Sequence, residues 1–186
     1  MESLFSLRIY GENHLDVPGG ALLVVNHQSF LDPPLIGCCL KEPIYFLARH
    51  TLFKKGGLGK LITLLNGIPI NRDKPDSSSL KTVIRLLKEG KKVLIFPEGT
   101  RTENGELLPA EPGVGLFIAK TKTPIIPVRI RGAFEAWPRD SFFPIPGTIE
   151  VYIGKAFEID SSYYDAKNKI NYQAVADRVM AEINNL

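Results

Sequence analysis

Asp76-Ser77-Ser78-Ser79-Leu80-Lys81-Thr82-Val83-Ile84-Arg85-Leu86-Leu87-Lys88-Glu89-Gly90-Lys91-Lys92-Val93-Leu94-Ile95-Phe96 is the stretch that decides the fold. In its first half Leu80, Val83, Ile84 and Leu87 recur at i, i+3, i+4 and i+7. That spacing predicts an amphipathic helix over Asp76–Glu89, started by Asp76 or Ser77 and stopped by Gly90. The second half, Lys92–Phe96, is apolar with no polar alternation, as in a strand of a parallel sheet covered on both faces.

The same alternation extends in both directions. Ala21–Val25, Ile44–Ala48, Ile68–Ile70, Ile125–Ile130 and Thr148–Ile153 read as strands. Pro33–Leu40, Leu58–Leu65, Gly113–Thr121 and Tyr172–Ile183 read as helices, the last with Val175, Val179 and Ile183 four apart. Asp32 suits the start of the first helix, where its carboxylate would accept from free backbone N–H groups, and Pro33 suits the first helical position. The pattern predicts one α/β domain over residues 1–186, with a central, largely parallel (mixed) sheet flanked by helices. We find no internal repeat and no dividing linker.

Composition narrows the class. The chain has 186 residues, 44% hydrophobic and 23% charged, with Gly (16) and Pro (14) dispersed, which excludes disordered and fibrous chains. Its two cysteines, Cys38 and Cys39, are adjacent and cannot staple distant segments, so a reducing compartment is expected. The formal charge of +3 is uneven: between Lys41 and Lys92 twelve Lys or Arg stand against four acids. Such a basic middle suits an anionic partner or a pair of solvated helix faces. No apolar run approaches the roughly 18–20 residues of a spanning helix, and no secretory leader is visible, so a cytoplasmic protein is expected.

Ligands of parallel sheets collect at the carboxyl ends of the strands. Four such ends carry polar chemistry. The first is Asn26-His27-Gln28-Ser29-Phe30-Leu31-Asp32, where a tight loop can bring imidazole and carboxylate together. A carboxylate on one ring nitrogen fixes the tautomer and makes the other a better base for an alcohol. Capping alone would also account for Asp32. Phe96-Pro97-Glu98-Gly99-Thr100-Arg101 follows the Lys92–Phe96 strand. There Gly99 permits a sharp turn, and Arg101 offers a planar fork of donors to a phosphate. Gly67-Ile68-Pro69-Ile70-Asn71-Arg72 and Ile126-Pro127-Val128-Arg129-Ile130-Arg131-Gly132 end on further arginines. Together they specify a base for an alcohol beside a phosphate pocket. No serine-nucleophile elbow, nucleotide phosphate loop, dinucleotide glycine motif or trusted metal-ligand spacing is found. Tyr10, His14 and His50 read as structural or surface residues.

These four blocks, in this order, closely resemble those of the lysophosphatidic acid acyltransferase family, the 1-acylglycerol-3-phosphate O-acyltransferases. The resemblance spans residues 26–132. It implies a glycerolipid acyltransferase-like fold and transfer of a fatty acyl group from an acyl thioester to the hydroxyl of 1-acylglycerol-3-phosphate. It further implies His27 as general base, Asp32 as its orienter, and Arg72 and Arg101 at the acceptor phosphate, with Glu98, Gly99 and Thr100 shaping that pocket. Arg49 stands where the family usually has Lys, keeping the charge and changing the geometry. Pro127 falls on the acyl-donor side. No metal and no cofactor are implied beyond acyl-CoA or acyl-carrier protein as co-substrate.

Such substrates call for apolar surface. Leu52, Phe53, Leu58, Leu61, Ile62, Leu64 and Leu65 would line a tunnel or serve as core, and Lys54, Lys55 and Lys60 beside them suit an anionic membrane surface. The Trp137–Pro146 loop is a second candidate for lipid contact. The expected partners are a lysophospholipid, an acyl thioester, an anionic membrane on its inner face and acyl carrier protein, with no nucleic acid. Acylation of another lyso-lipid or of glycerol phosphate, and a non-catalytic anionic-lipid-binding module, remain alternatives.

Overall fold

Ala21–Val25 is the centre of the molecule: all five residues are fully buried in strand β2, between two parallel neighbours. A computed structural model describes residues 5–71, 77–164 and 169–186. In chain order the elements are β1 (Phe5–Tyr10), a 3-10 turn (Glu12–Leu15), β2, α1 (Asp32–Cys38), β3 (Ile44–Arg49), α2 (His50–Phe53), α3 (Gly56–Leu64) and β4 (Gly67–Ile70). Then follow α4 (Ser77–Lys88), β5 (Lys92–Ile95), α5 (Gly113–Thr121), β6 (Ile125–Arg131), α6 (Ala133–Ala136), β7 (Gly147–Ile153), a 3-10 turn (Ser161–Tyr163) and α7 (Tyr172–Asn184).

The seven strands form one sheet in the order β1-β7-β6-β2-β5-β3-β4. β6, β2, β5, β3 and β4 run parallel; β7 is antiparallel to β6, and β1 is parallel to β7. The expected mixed, largely parallel α/β sheet is therefore present. Alternation along the strands divides the core. Leu23, Val25 and Leu94 pack with Ile36 of α1, Ile62 of α3 and Ala133 and Ala136 of α6. Leu22, Val24, Val93 and Ile95 face α4, α5 and α7, where Val175, Val179 and Ile183 are fully buried. Truncating one such side chain to Ala removes its burial and leaves a void, at about 2–5 kcal/mol for a Leu.

Lys92 opens β5 in the buried region at 5% exposure. Its ammonium is paired with Glu42, which offsets the cost of burying the charge. Gly132 ends β6 at φ 82°, and a Cβ there would lie 2.2 Å from the carbonyl oxygen of Thr148, so both conformation and space require glycine.

The observed bounds differ from the sequence reading at element ends and in short elements. β1, α2 and α6 are additional. β1 pairs only at the sheet edge with β7, and α2 and α6 are single turns of four residues, too short to show a period. Asp76 lies outside the described residues, and α4 is seen from Ser77. Cys38 is exposed, Cys39 is buried, and both are free thiols.

Candidate active site

The parallel strands put the ends of β2, β5, β3 and β4 along one edge of the sheet, and β6 joins them beside β2. The chain leaving β2 is aimed by Asn26. Its buried amide donates to the carbonyl of Ile130 at 2.9 Å, and its Oδ1 accepts from the Ile130 N–H at 2.7 Å. One side chain thus makes both bonds of a further ladder rung between β2 and β6. Sequence reading missed this role.

His27 follows directly. Its Nδ1 lies 2.7 Å from Oδ2 of Asp32. Asp32 is fully buried, and the same oxygen accepts from the N–H groups of Gln28 at 2.7 Å and Ser29 at 2.8 Å. This corrects the expectation that Asp32 caps its own helix. Asp32 is the first residue of α1, the preceding Leu31 makes no side-chain cap, and the carboxylate gathers N–H groups from the loop before the helix. Three contacts on one oxygen fix the loop around that carboxylate. With Nδ1–H donated to that carboxylate, Nε2 carries the lone pair. The imidazole stacks on the Phe96 ring at 3.8 Å between centroids, 13° from parallel, which holds its plane.

The β5 loop clasps the backbone of His27 from both sides. Oε1 of Glu98 accepts from the His27 N–H at 2.7 Å, and Thr102 N–H donates to the His27 carbonyl at 2.9 Å. The second oxygen of Glu98 accepts from the Leu108 N–H at 2.9 Å. Glu98 is 4% exposed, and burial pushes its carboxyl up to about 7, against the lowering effect of those two N–H donors. Both oxygens of Glu98 are therefore engaged with backbone, which makes it a holder of His27. Gly99 adopts φ 68° and closes a turn through its N–H to the Phe96 carbonyl at 3.1 Å. Thr100 is exposed in that turn.

Arg101 lies over Phe30 of the His27 loop, its guanidinium carbon 3.6 Å from the ring centroid. Burial and the neighbouring Arg139 lower its pKa. Its Nη1 is buried without a hydrogen-bond partner among the described residues. Arg49 is exposed at the end of β3 and is in register with Ile70 of β4, which brings Arg49 and Asn71 to adjacent strand ends. Arg72 lies outside the described residues. The guanidinium of Arg131 sits 5.0 Å over the Tyr152 ring, on the β7 side. Pro127 is in register with Val24, inside the sheet, and its carbonyl accepts from Gly154. Its missing N–H falls beyond the end of the β7 ladder at Ile153, where a proline is tolerated. The structure thus brings together His27, Asp32, Glu98, Gly99 and Arg101, with Arg49 two strands away along the same edge.

Sequence reading also missed Ser29, Phe30, Phe96 and Thr102. Ser29 is fully buried, and its hydroxyl donates to the Trp137 carbonyl at 2.8 Å, tying the His27 loop to the segment after α6. A run of polar residues directly after an all-apolar strand was the signal available. Among the described residues no cluster of His, Cys, Asp and Glu could hold a metal ion.

The sequence profile of the family described as Acyltransferase matches residues 6–131. The chain is 32% identical over 127 residues to the 1-acyl-sn-glycerol-3-phosphate acyltransferase of Bacillus subtilis, covering 68% of this chain and 63% of that one. It is 33% identical over 140 residues to 1-acyl-sn-glycerol-3-phosphate acyltransferase beta of Homo sapiens, covering 73% and 50%. The crystal structure of the 1-acyl-sn-glycerophosphate acyltransferase PlsC from Thermotoga maritima shares the fold, with TM-score 0.75 and 25% identity over 97% of this chain and 70% of that one. The chain thus spans 63% of the bacterial relative's length and 50% of the human relative's.

Proposed function

The chain belongs to the acyltransferase family, and from that premise we propose that it moves a fatty acyl group from an acyl thioester to the free hydroxyl of 1-acylglycerol-3-phosphate, giving phosphatidic acid. The observation that carries the reading is the 2.7 Å contact between His27 Nδ1 and a fully buried, three-times-bonded Asp32 oxygen. A carboxylate so held orients imidazole as a base for an alcohol without itself moving.

Nε2 of His27 removes the hydroxyl proton as the oxygen attacks the thioester carbonyl. The C–O bond forms, the C–S bond breaks, and the thiolate takes the proton back from Nε2. Asp32 stabilises the imidazolium between the two transfers. The acceptor is itself the nucleophile, so no acyl-enzyme intervenes. General-base help of this kind supplies on the order of 10²–10⁴ in rate. Arg101, with its unsatisfied buried Nη1, holds the acceptor phosphate, joined by Arg49 from the end of β3 and, as the sequence motif implies, by Arg72. The donor is acyl-CoA or acyl-carrier protein, and no cofactor takes part. Both substrates carry long acyl chains, so the reaction is placed at a membrane surface, on the cytoplasmic side where acyl-CoA and acyl-carrier protein are found. No helix among the described residues is long and apolar enough to cross a membrane.

Free thiol is followed from acyl-CoA and from acyl-carrier protein, with and without the lysophosphatidic acid. Acceptor-dependent release with formation of phosphatidic acid is the expected result. Release that ignores the acceptor means a thioesterase, and no release from either donor overturns the proposal.

A further inference from the structure

Two exposed apolar patches leave the same edge of the sheet on either side of the His27 loop. On one side β3 runs into α2 and α3, and α3 is apolar nearly all round. Ile62 is buried and Gly59 fits against the Phe53 carbonyl, so α3 spends its inward face on those two. Leu58 (41%), Leu61 (50%), Leu64 (79%) and Leu65 (40%) are left in water. A helix that is hydrophobic all round has a second apolar environment to satisfy. The charges around it have one sign: Lys54, Lys55 and Lys60 are exposed, and no acid occurs between Glu42 and Asp73.

On the other side β6 runs into α6 and the loop after it. Phe142 is 92% exposed, Phe143 79% and Ile145 58%. This loop is built to hold them out. Trp137 Nε1 donates to the Ser141 carbonyl at 3.0 Å, the Ser141 hydroxyl to the Phe143 carbonyl at 2.8 Å, and the Ile145 N–H to the Ala136 carbonyl at 2.8 Å. Its base is tied to the His27 loop by Ser29. In the sheet β2 lies between β6 and β3, and α3 and α6 pack on the same sheet face.

We propose that this edge docks on an anionic phospholipid bilayer, with the Lys54–Leu65 segment as its electrostatic and apolar contact and the Phe142–Ile145 tip as a wedge across the active site from it. This rests on the acyl-transfer reading and names the surface on which that reaction takes place. The charge argument selects anionic lipid, because an acid-free apolar helix fringed by lysines gains from the negative leaflet. Two contacts flanking His27 also set orientation: the hydroxyl of an embedded lyso-lipid meets Nε2 without leaving the interface.

The test is flotation with vesicles of phosphatidylcholine alone and of phosphatidylcholine with phosphatidylglycerol, beside turnover on a short-chain, water-soluble acceptor without vesicles. The parent chain floats with the anionic vesicles. Lys54→Glu/Lys55→Glu/Lys60→Glu weakens that binding about 100-fold or more and leaves soluble turnover unchanged. Phe142→Ser/Phe143→Ser weakens it at either lipid composition. In Phe142→Trp the new indole blue-shifts on anionic vesicles and is quenched by brominated acyl chains. Parental binding by the triple variant, or an unshifted indole, overturns the proposal. So does a dimer that Leu64→Asp dissolves without changing vesicle binding, since a second copy then covers α3. Soluble turnover without flotation removes the docking and keeps the reaction; flotation without turnover on any acceptor does the reverse.

Discussion

Glu98 holds His27 by the backbone, with Oε1 accepting the His27 N–H at 2.7 Å. The carboxylate thus sets where the imidazole begins, and Asp32 sets where its ring points. These are separable functions, and substitutions separate them.

His27→Ala removes the base and leaves the clasp intact, because the bonds of Asn26, Glu98 and the Thr102 N–H all end on backbone groups. Thiol release falls to background while the thermal transition stays cooperative. A variant that retains parental turnover would sink the mechanism.

Asp32→Asn presents an amide to Nδ1. The ring is no longer held with Nε2 as acceptor, and turnover falls by about 10²–10⁴. The three bonds to Oδ2 also weaken, so the denaturant midpoint drops with it. Unchanged kcat in Asp32→Asn would contradict the orienting role.

Glu98 contributes a pH slope to stability. Burial raises its carboxyl from 4.5 to about 7 in the folded chain. Between those values the native state binds more protons than the unfolded state, so this group's contribution to stability declines as pH rises from 4.5 to about 7, then levels. Urea midpoints across that range show the decline in the parent, and Glu98→Gln flattens it. Glu98→Gln also loses one of its two N–H acceptances, since its NH₂ cannot accept, and kcat falls more than KM changes. Identical pH slopes in parent and variant would refute the assignment.

Arg101→Lys keeps a charge and loses the fork and the stack on Phe30. The KM for the phosphorylated acceptor rises about 10- to 100-fold, with the donor's KM unchanged. A change confined to the donor would move Arg101 to the other substrate.

Asn26→Ala leaves the N–H and carbonyl of Ile130 buried without their partners. The cost is about 2–4 kcal/mol, by equilibrium unfolding. A loss below the error of that measurement would mean that the β2–β6 rung is made good by water.

The parts of the fold that were legible are those with a long, pure signal. β2 and α5 match their expected bounds, and α4 and β5 do so to within a residue where described. The β1 signal, Phe5-Ser6-Leu7-Arg8-Ile9-Tyr10, alternates, yet the strand sits at an edge and stays mostly exposed, so its pattern carries little weight against a loop. The site was legible as a set of residue types at strand ends. The division of labour inside it was not. Asn26 meets its partner 104 residues away, and Glu98 meets His27 at a separation of 71. Nothing local distinguishes a carboxylate that faces a substrate phosphate from one whose oxygens are both spent on amides. Asp32 failed as a cap for the same reason: the donors it chose lie before the helix.

The amides of the His27 loop give this architecture a kinetic signature. The N–H groups of His27, Gln28, Ser29 and Thr102 all end on buried acceptors or on one another's carbonyls. Connecting segments ordinarily exchange their amide hydrogens through small local openings. Here an opening must break the Asp32 and Glu98 clasps together, and with them the last rung of β2. These four amides are therefore expected to exchange more slowly than those of an open loop, toward the rate of the central strands, which ties the active-site geometry to the sheet.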